Sequence, residues 1–155
     1  MKPILLVITN SSECPLAIDR AVTLCREHDA ELLVAYVHDP QVTESFQRLA
    51  MNQGFLGERV GEMVHDALSE DERLRAQGAL LAIEKQVTAL DVRCRSLETG
   101  GQLASAVMRL AFEHDVHHVV IARQSRSVLS RLVFGSPVRD LQRRAPFPVE
   151  VIYES

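Results

Sequence analysis

Three stretches of this chain are apolar almost without interruption yet only as long as a strand: Pro3–Thr9 (PILLVIT), Glu31–His38 (ELLVAYVH) and Val116–Ala122 (VHHVVIA). Short runs of this kind, rich in branched side chains, suit strands covered on both faces, the condition of a parallel sheet. Parallel neighbours need a crossover between them, and the first is visible. Leu16, Ala17, Arg20, Ala21, Leu24 and Cys25 recur at spacings of three and four, which predicts an amphipathic helix to about His28. Asn10, Ser11 and Ser12 ahead of it are good N-cap residues. Strand, helix and strand in so short a stretch make a βαβ unit with a right-handed crossover.

The middle is less regular. A weak helical pattern over 40–52 gives way to a clearer one carrying Leu56, Val60, Met63, Val64, Ala67 and Leu68. Ser69-Glu70-Asp71-Glu72 reads as a capping sequence opening a further helix, with Leu80, Ile83, Val87 and Leu90 on its buried face. Asp91–Glu98 alternates apolar and polar residues, as a strand near an edge does, and Thr99-Gly100-Gly101 reads as a turn. Leu103, Ala106, Val107, Leu110 and Ala111 predict another helix. After the Val116–Ala122 strand come a polar loop over 123–135, a short helix opened by Ser136-Pro137, and a last strand, Phe147–Tyr153. The expected architecture is therefore a three-layer α/β fold, with a mostly parallel five-stranded sheet and helices on both faces. Residues 1–155 read as one domain with a helical insertion at about 40–68. Ligands of such sheets bind beyond the carboxyl ends of the strands where the strand order reverses, which singles out loops 9–13, 38–42, 99–102 and 122–137.

Charge narrows the ligand. The net charge is −4, but residues 122–146 hold six arginines against the single acid Asp140, so this segment carries +5 and the remainder −9. An acidic protein with one basic segment suits a small anion better than a nucleic acid. No apolar run approaches the length of a membrane span. Three cysteines, Cys14, Cys25 and Cys94, show no paired spacing, and no secretory signal precedes them, which reads as a cytoplasmic protein with reduced thiols.

The stretch Ile121–Val138 (IARQSRSVLSRLVFGSPV) resembles the universal stress protein family, whose nucleotide-binding members carry G-x-x-G-x9-G-[ST] after the fourth strand. Ala122, Ser125 and Gly135-Ser136 occupy the motif positions, with nine residues between Ser125 and Gly135. ILLVITNSSEC at the start, ETGGQLASAV in the middle and Ala145-Pro146-Phe147-Pro148-Val149 near the end resemble the family as well, so the likeness covers the chain except roughly 40–75. It implies a Rossmann-like, adenine-nucleotide alpha-hydrolase-like fold, in a regulatory stress-response protein. The implied ligand is ATP, AMP or another phosphate-bearing molecule, bound at the carboxyl ends of strands one and four. The residues implied are Thr9, Asn10, Ser11, Val37, His38, Ala122, Arg123, Gln124, Ser125, Arg126, Gly135, Ser136, Pro137 and Val138. It also implies a homodimer joined through the last strand, by Val149, Val151, Ile152 and Tyr153.

Three departures bear on chemistry. Alanine and serine replace the two loop glycines that normally allow positive φ, Asn10 stands for the acidic residue after the first strand, and Val138 for a hydroxyl residue. Two readings therefore stand side by side: a nucleotide-binding regulator, and a dimeric module that binds an unknown protein partner and no nucleotide. An ATPase needs a metal-binding carboxylate near the phosphates, and the loops offer Asp39 and Glu98. No catalytic constellation is assigned, and no metal: His117 and His118 are adjacent in a strand and point to opposite faces. Cys14, in a helix first turn, reads either as a thiol whose pKa the dipole lowers or, the preferred reading, as an ordinary small first-turn residue. Phe46, Met51, Phe55 and Leu56 are expected to cover the ligand cleft, a partner surface or the domain's own core.

Overall fold

The computed structural model describes residues 2–39, 58–124 and 138–154. Strands β1 (Ile4–Ile8), β2 (Leu32–His38), β3 (Cys94–Gly100), β4 (His118–Gln124) and β5 (Val149–Glu154) form one sheet in the order β3-β2-β1-β4-β5. Every neighbouring pair is parallel. Helices α1 (Pro15–His28), α2 (Glu58–Thr88) and α3 (Leu103–Glu113) connect them, with a short helix α4 over 138–144. One face carries α1 and α2 over Ile4, Leu6, Leu32, Val34, Tyr36 and Val120. The other carries α3 and α4 over Leu5, Val7, Leu33, Ala35, Val119 and Ile121. β1 lies at the centre and is buried along its whole length, which is why its sequence shows no alternation. β3 and β5 take the two edges, and their sequences alternate accordingly. No helix among the described residues is long and apolar enough to cross a membrane.

Local reading errs at four places, each where a neighbour decides. Ser69-Glu70-Asp71-Glu72 does not open a helix; it lies inside α2, which runs unbroken from Glu58 to Thr88. No glycine or proline occurs between residues 62 and 77, an interior serine costs only about 0.5 kcal/mol, and Asp71 meets Arg75 one turn on at 2.9 Å. β3 continues past Glu98 to Gly100 because β2 reaches His38 alongside it, pairing Val37 with Thr99 and His38 with Gly100. The turn then falls on Gly101, at φ +124°, whose N–H donates to the His38 carbonyl at 3.2 Å. Arg123 and Gln124, expected in a loop, are strand residues in register with Tyr153 and Glu154 of β5. Finally, Asn10 and Ser11 do not cap α1. Its N-cap is Cys14, with no side-chain cap hydrogen bond, while Asn10 Oδ1 accepts the Ser12 N–H at 2.9 Å in a local turn.

Helices α1, α2 and α3 are each followed by an aspartate in the left-handed region, Asp29 (φ 49°), Asp91 (φ 62°) and Asp115 (φ 51°), a conformation that short polar side chains tolerate. Within α2, Gly78 stands in open space, since a Cβ added there meets no atom within 4 Å. Gly78→Ala is expected to raise the unfolding free energy by about 0.5–1 kcal/mol, read from the urea midpoint. A fall would show that this bare stretch of helix is held against something.

Candidate functional site

The strand order reverses between β1 and β4, and loops leaving their carboxyl ends diverge there. Thr9, Asn10, Ser12 and Cys14 from the β1–α1 connection meet Ala122 and Arg123 of β4 around a recess of about 10 Å³. That is the space of a single water molecule. Thr9 is buried, Asn10 and Ser11 are exposed, and Ala122 and Arg123 are half-buried. The Arg123 guanidinium lies 5.5 Å from the centre of the Tyr153 ring, a cation–π distance, so β5 helps to orient it.

Other expected site residues lie elsewhere. Val37 is buried in the core beneath α3, and Val138 is buried in the same layer beside Leu141. His38, the last residue of β2, turns toward α2. Its Nε2 lies 3.0 Å from Glu98 Oε2, its Nδ1 3.5 Å from Glu72 Oε1, and its ring 4.7 Å from that of Tyr36. Glu98 is thus engaged by His38, away from the β1–β4 junction. Gln124 is in β4. Ser125, Arg126, Gly135, Ser136 and Pro137 lie outside the described residues, as do Phe46, Met51, Phe55 and Leu56.

Two carboxylates at this edge satisfy helix starts, a role their sequence positions do not announce. Asp39, just after β2, is buried, and its Oδ2 accepts the Leu103 N–H at 3.0 Å, satisfying the start of α3. Glu154, at the end of β5, is also buried, and its Oε1 accepts the Ala17 N–H at 2.9 Å in the first turn of α1. The sequence did carry a signal. Alternation puts Glu150 and Glu154 on one face with Ile152, and that face turns inward under α1 rather than toward a partner.

Lower on the same face, Arg20 Nε donates to both Glu150 oxygens at 3.2 and 3.0 Å, and His118 Nε2 lies 2.7 Å from Glu150 Oε2. Burial pushes the Glu150 carboxyl up, but the hydrogen bonds and charges of Arg20 and His118 outweigh it and hold the group below its ordinary value of 4.5. Of the two readings of Cys14, an activated thiol and an ordinary small residue at a helix start, the structure favours the second. Burial first, then the Glu154 carboxylate, pushes its thiol up to about 11, so the helix dipole does not activate it. Burial likewise raises Cys25 to about 12 and Cys94 to about 11. His117 is exposed, with its ring centre 4.3 Å from that of His28. Its pKa is lowered by desolvation and by the neighbouring His28, His118 and Lys2. Among the described residues no group of three or more His, Cys, Asp or Glu side chains is placed to hold a metal ion.

A parallel five-stranded sheet between two helical layers, with its switch point at β1 and β4, is the fold of known universal stress proteins. UspA from Lactobacillus plantarum matches with a TM-score of 0.68 at 20% identity, covering 97% of each chain. A universal stress protein in complex with cAMP matches at 0.62 and 17%, covering 99% of this chain and 98% of that one. The universal stress protein from Archaeoglobus fulgidus in complex with dAMP matches at 0.62 and 15%, covering 98% of each. The sequence agrees with the fold, for the universal stress protein family model matches residues 1–152, and the chain belongs to that family. Among curated proteins none matches the sequence.

Proposed function

We propose that this chain is a regulatory universal stress protein that binds a small adenine nucleotide or similar phosphate-bearing ligand at the carboxyl ends of β1 and β4. We read residues 1–155 as one such unit with extra helical sequence at about 40–68. The observation that carries the reading is the convergence of Thr9, Asn10, Ser12, Ala122 and Arg123 at the switch point. Two structural neighbours with this fold hold cAMP and dAMP. Arg123 supplies positive charge where the family motif has only backbone. AMP or ATP is expected to raise the melting temperature, since a ligand selective for the folded state stabilises it by mass action. Flat melting curves at millimolar nucleotide would overturn this. The double change Ala122→Gly with Ser125→Gly is expected to tighten binding by restoring the conformational freedom of the two loop glycines.

The 10 Å³ recess favours a second reading, a dimeric module that binds a protein partner and no nucleotide. Both readings share an assembly, a homodimer in which β5 of one copy pairs with β5 of the other. β5 lies at the sheet edge, where unpaired backbone groups invite a strand, and Tyr153 is 51% exposed on it. Light scattering is expected to give about twice the 17.3 kDa of one chain, and a monomer at micromolar concentration would overturn the assembly. The three free cysteines, with thiols raised by burial, fit a reducing cytoplasm.

A further inference from the structure

Helix α2 leaves one face bare. With 3.6 residues per turn, Asp71, Leu74, Gly78, Leu81 and Lys85 line a single stripe on the side away from Ala76, Leu80, Ile83 and Val87, which enter the core. All five are exposed, Leu74 at 60% and Leu81 at 53%. The stripe is symmetric about Gly78: Asp71 and Lys85 stand seven residues either side of it, Leu74 four before and Leu81 three after. A second α2 laid antiparallel, Gly78 on Gly78, sets Leu74 of one copy against Leu81 of the other and Asp71 against Lys85, each contact made twice. A parallel copy sets like charge on like charge at both ends. Glycine weakens a helix interior, and a Cβ added at Gly78 would meet nothing within 4 Å, so packing within this chain does not call for one. Between two helices the missing Cβ lets the backbones come close at the axis.

We propose that this face of α2 is a self-association surface, on which a second copy of the chain seats its own α2 antiparallel about a two-fold axis at Gly78. Each copy brings two leucines and two charges, so the contact is small and weak beside a standard interface and fills only as concentration rises well above micromolar. Helix α2 packs over β2 and β3, and β5 lies at the opposite edge of the sheet, so one chain can make this contact and an edge-strand contact at once. Neither nucleotide binding nor pairing through β5 is needed for it.

Disulfide cross-linking of the full chain at near-millimolar concentration tests this, with copper-catalysed air oxidation read on a non-reducing gel against the unaltered protein. Gly78→Cys is expected to link to its own copy, because a residue on a two-fold axis meets itself within disulfide reach. Lys85→Cys is expected not to, since its copy lies roughly 20 Å away along the antiparallel helices. Mixing Lys85→Cys with Asp71→Cys is expected to yield the linked pair that neither forms alone. Self-linking of Lys85→Cys would show a parallel pairing and overturn the proposal. So would a Gly78→Cys that links no more than the unaltered protein, as when the chain's own residues 40–57 cover the stripe. Charge reversal gives a second readout, by sedimentation over a concentration series. Lys85→Glu is expected to weaken association about tenfold by facing Asp71 of the other copy, and adding Asp71→Lys to the same chain to restore it. A double variant as weak as the single one would sink the antiparallel register. Light scattering at micromolar concentration reads the β5 contact separately.

Discussion

Leu6→Ala is expected to cost about 3–5 kcal/mol of stability, the upper part of the range for a fully buried leucine. Leu6 is completely enclosed in the central strand, in register with Val34 on one side and Val120 on the other, and it faces the core beneath α1 and α2. A central parallel strand pinned by ladders on both edges cannot shift to close a gap, so the cavity term adds to the lost transfer energy. Domains of this size are stable by about 5–15 kcal/mol, so one truncation removes a large share. The matched control is Leu16→Ala, which alters a leucine 53% exposed on α1 and is expected to change stability by less than about 0.5 kcal/mol. Urea unfolding of the two variants side by side checks the contrast. A loss below about 2 kcal/mol at Leu6 would mean that the helical layer relaxes onto the gap.

Glu150→Ala is expected to destabilise by about 1–3 kcal/mol, less than a fully buried pair would lose because both Glu150 and Arg20 keep about a third of their side-chain surface in water. Most of the loss comes from His118, which is nearly enclosed and would face the gap with its Nε2 unpaired. The same cluster makes stability depend on acid. The Glu150 carboxyl titrates below 4.5 in the folded protein, whereas in the unfolded chain it is ordinary. Below that ordinary value the unfolded chain takes up protons that the folded one resists, so this contribution is complete above it and declines as pH falls. Unfolding free energies measured between pH 6 and pH 3, a range spanning the ordinary carboxylate value of roughly 4.3, should therefore fall less steeply in Glu150→Gln than in the unaltered protein. Parallel curves would show that Glu150 is not held ionised by its neighbours.

The sheet was legible because its inner strands are uniformly apolar and its helices keep a 3.6-residue period, both of which are local properties. PILLVIT, ELLVAYVH and VHHVVIA became β1, β2 and β4 within one or two residues at each end. The alternating runs became the two edges. What local pattern could not supply was length set by a neighbour. β4 reaches Gln124 because β5 runs beside it, and β3 reaches Gly100 because β2 does. Ser69-Glu70-Asp71-Glu72 looked like a beginning because a capping serine followed by first-turn acids uses the same residues as an exposed helix interior. At the site, the residues that converge are those on β1, its following loop and β4. Val138 has the hydrophobicity of the core it joins, and the route of His38 toward Glu98 depends on a strand 60 residues later. The parts that Asp39 and Glu154 play were hidden for the same reason, since the helix starts they satisfy are 64 and 137 residues away.

The bond between Glu154 and Ala17 has a consequence for the order in which the chain can fold as it is made. β1, α1 and β2 are complete within the first 38 residues and can associate early. Yet β1 then has one open edge, because its second neighbour, β4, begins at His118. The first turn of α1 lacks its hydrogen-bond partner until residue 154 has been synthesised. For most of translation at about 5–20 residues per second, the growing chain therefore exposes the edge of its most apolar strand. Folding that must wait for contacts so distant in sequence is slow compared with folding built on local ones. A nascent chain arrested after β2 should thus be protease-sensitive and a client for chaperones, and should gain its protection only when the last strand emerges.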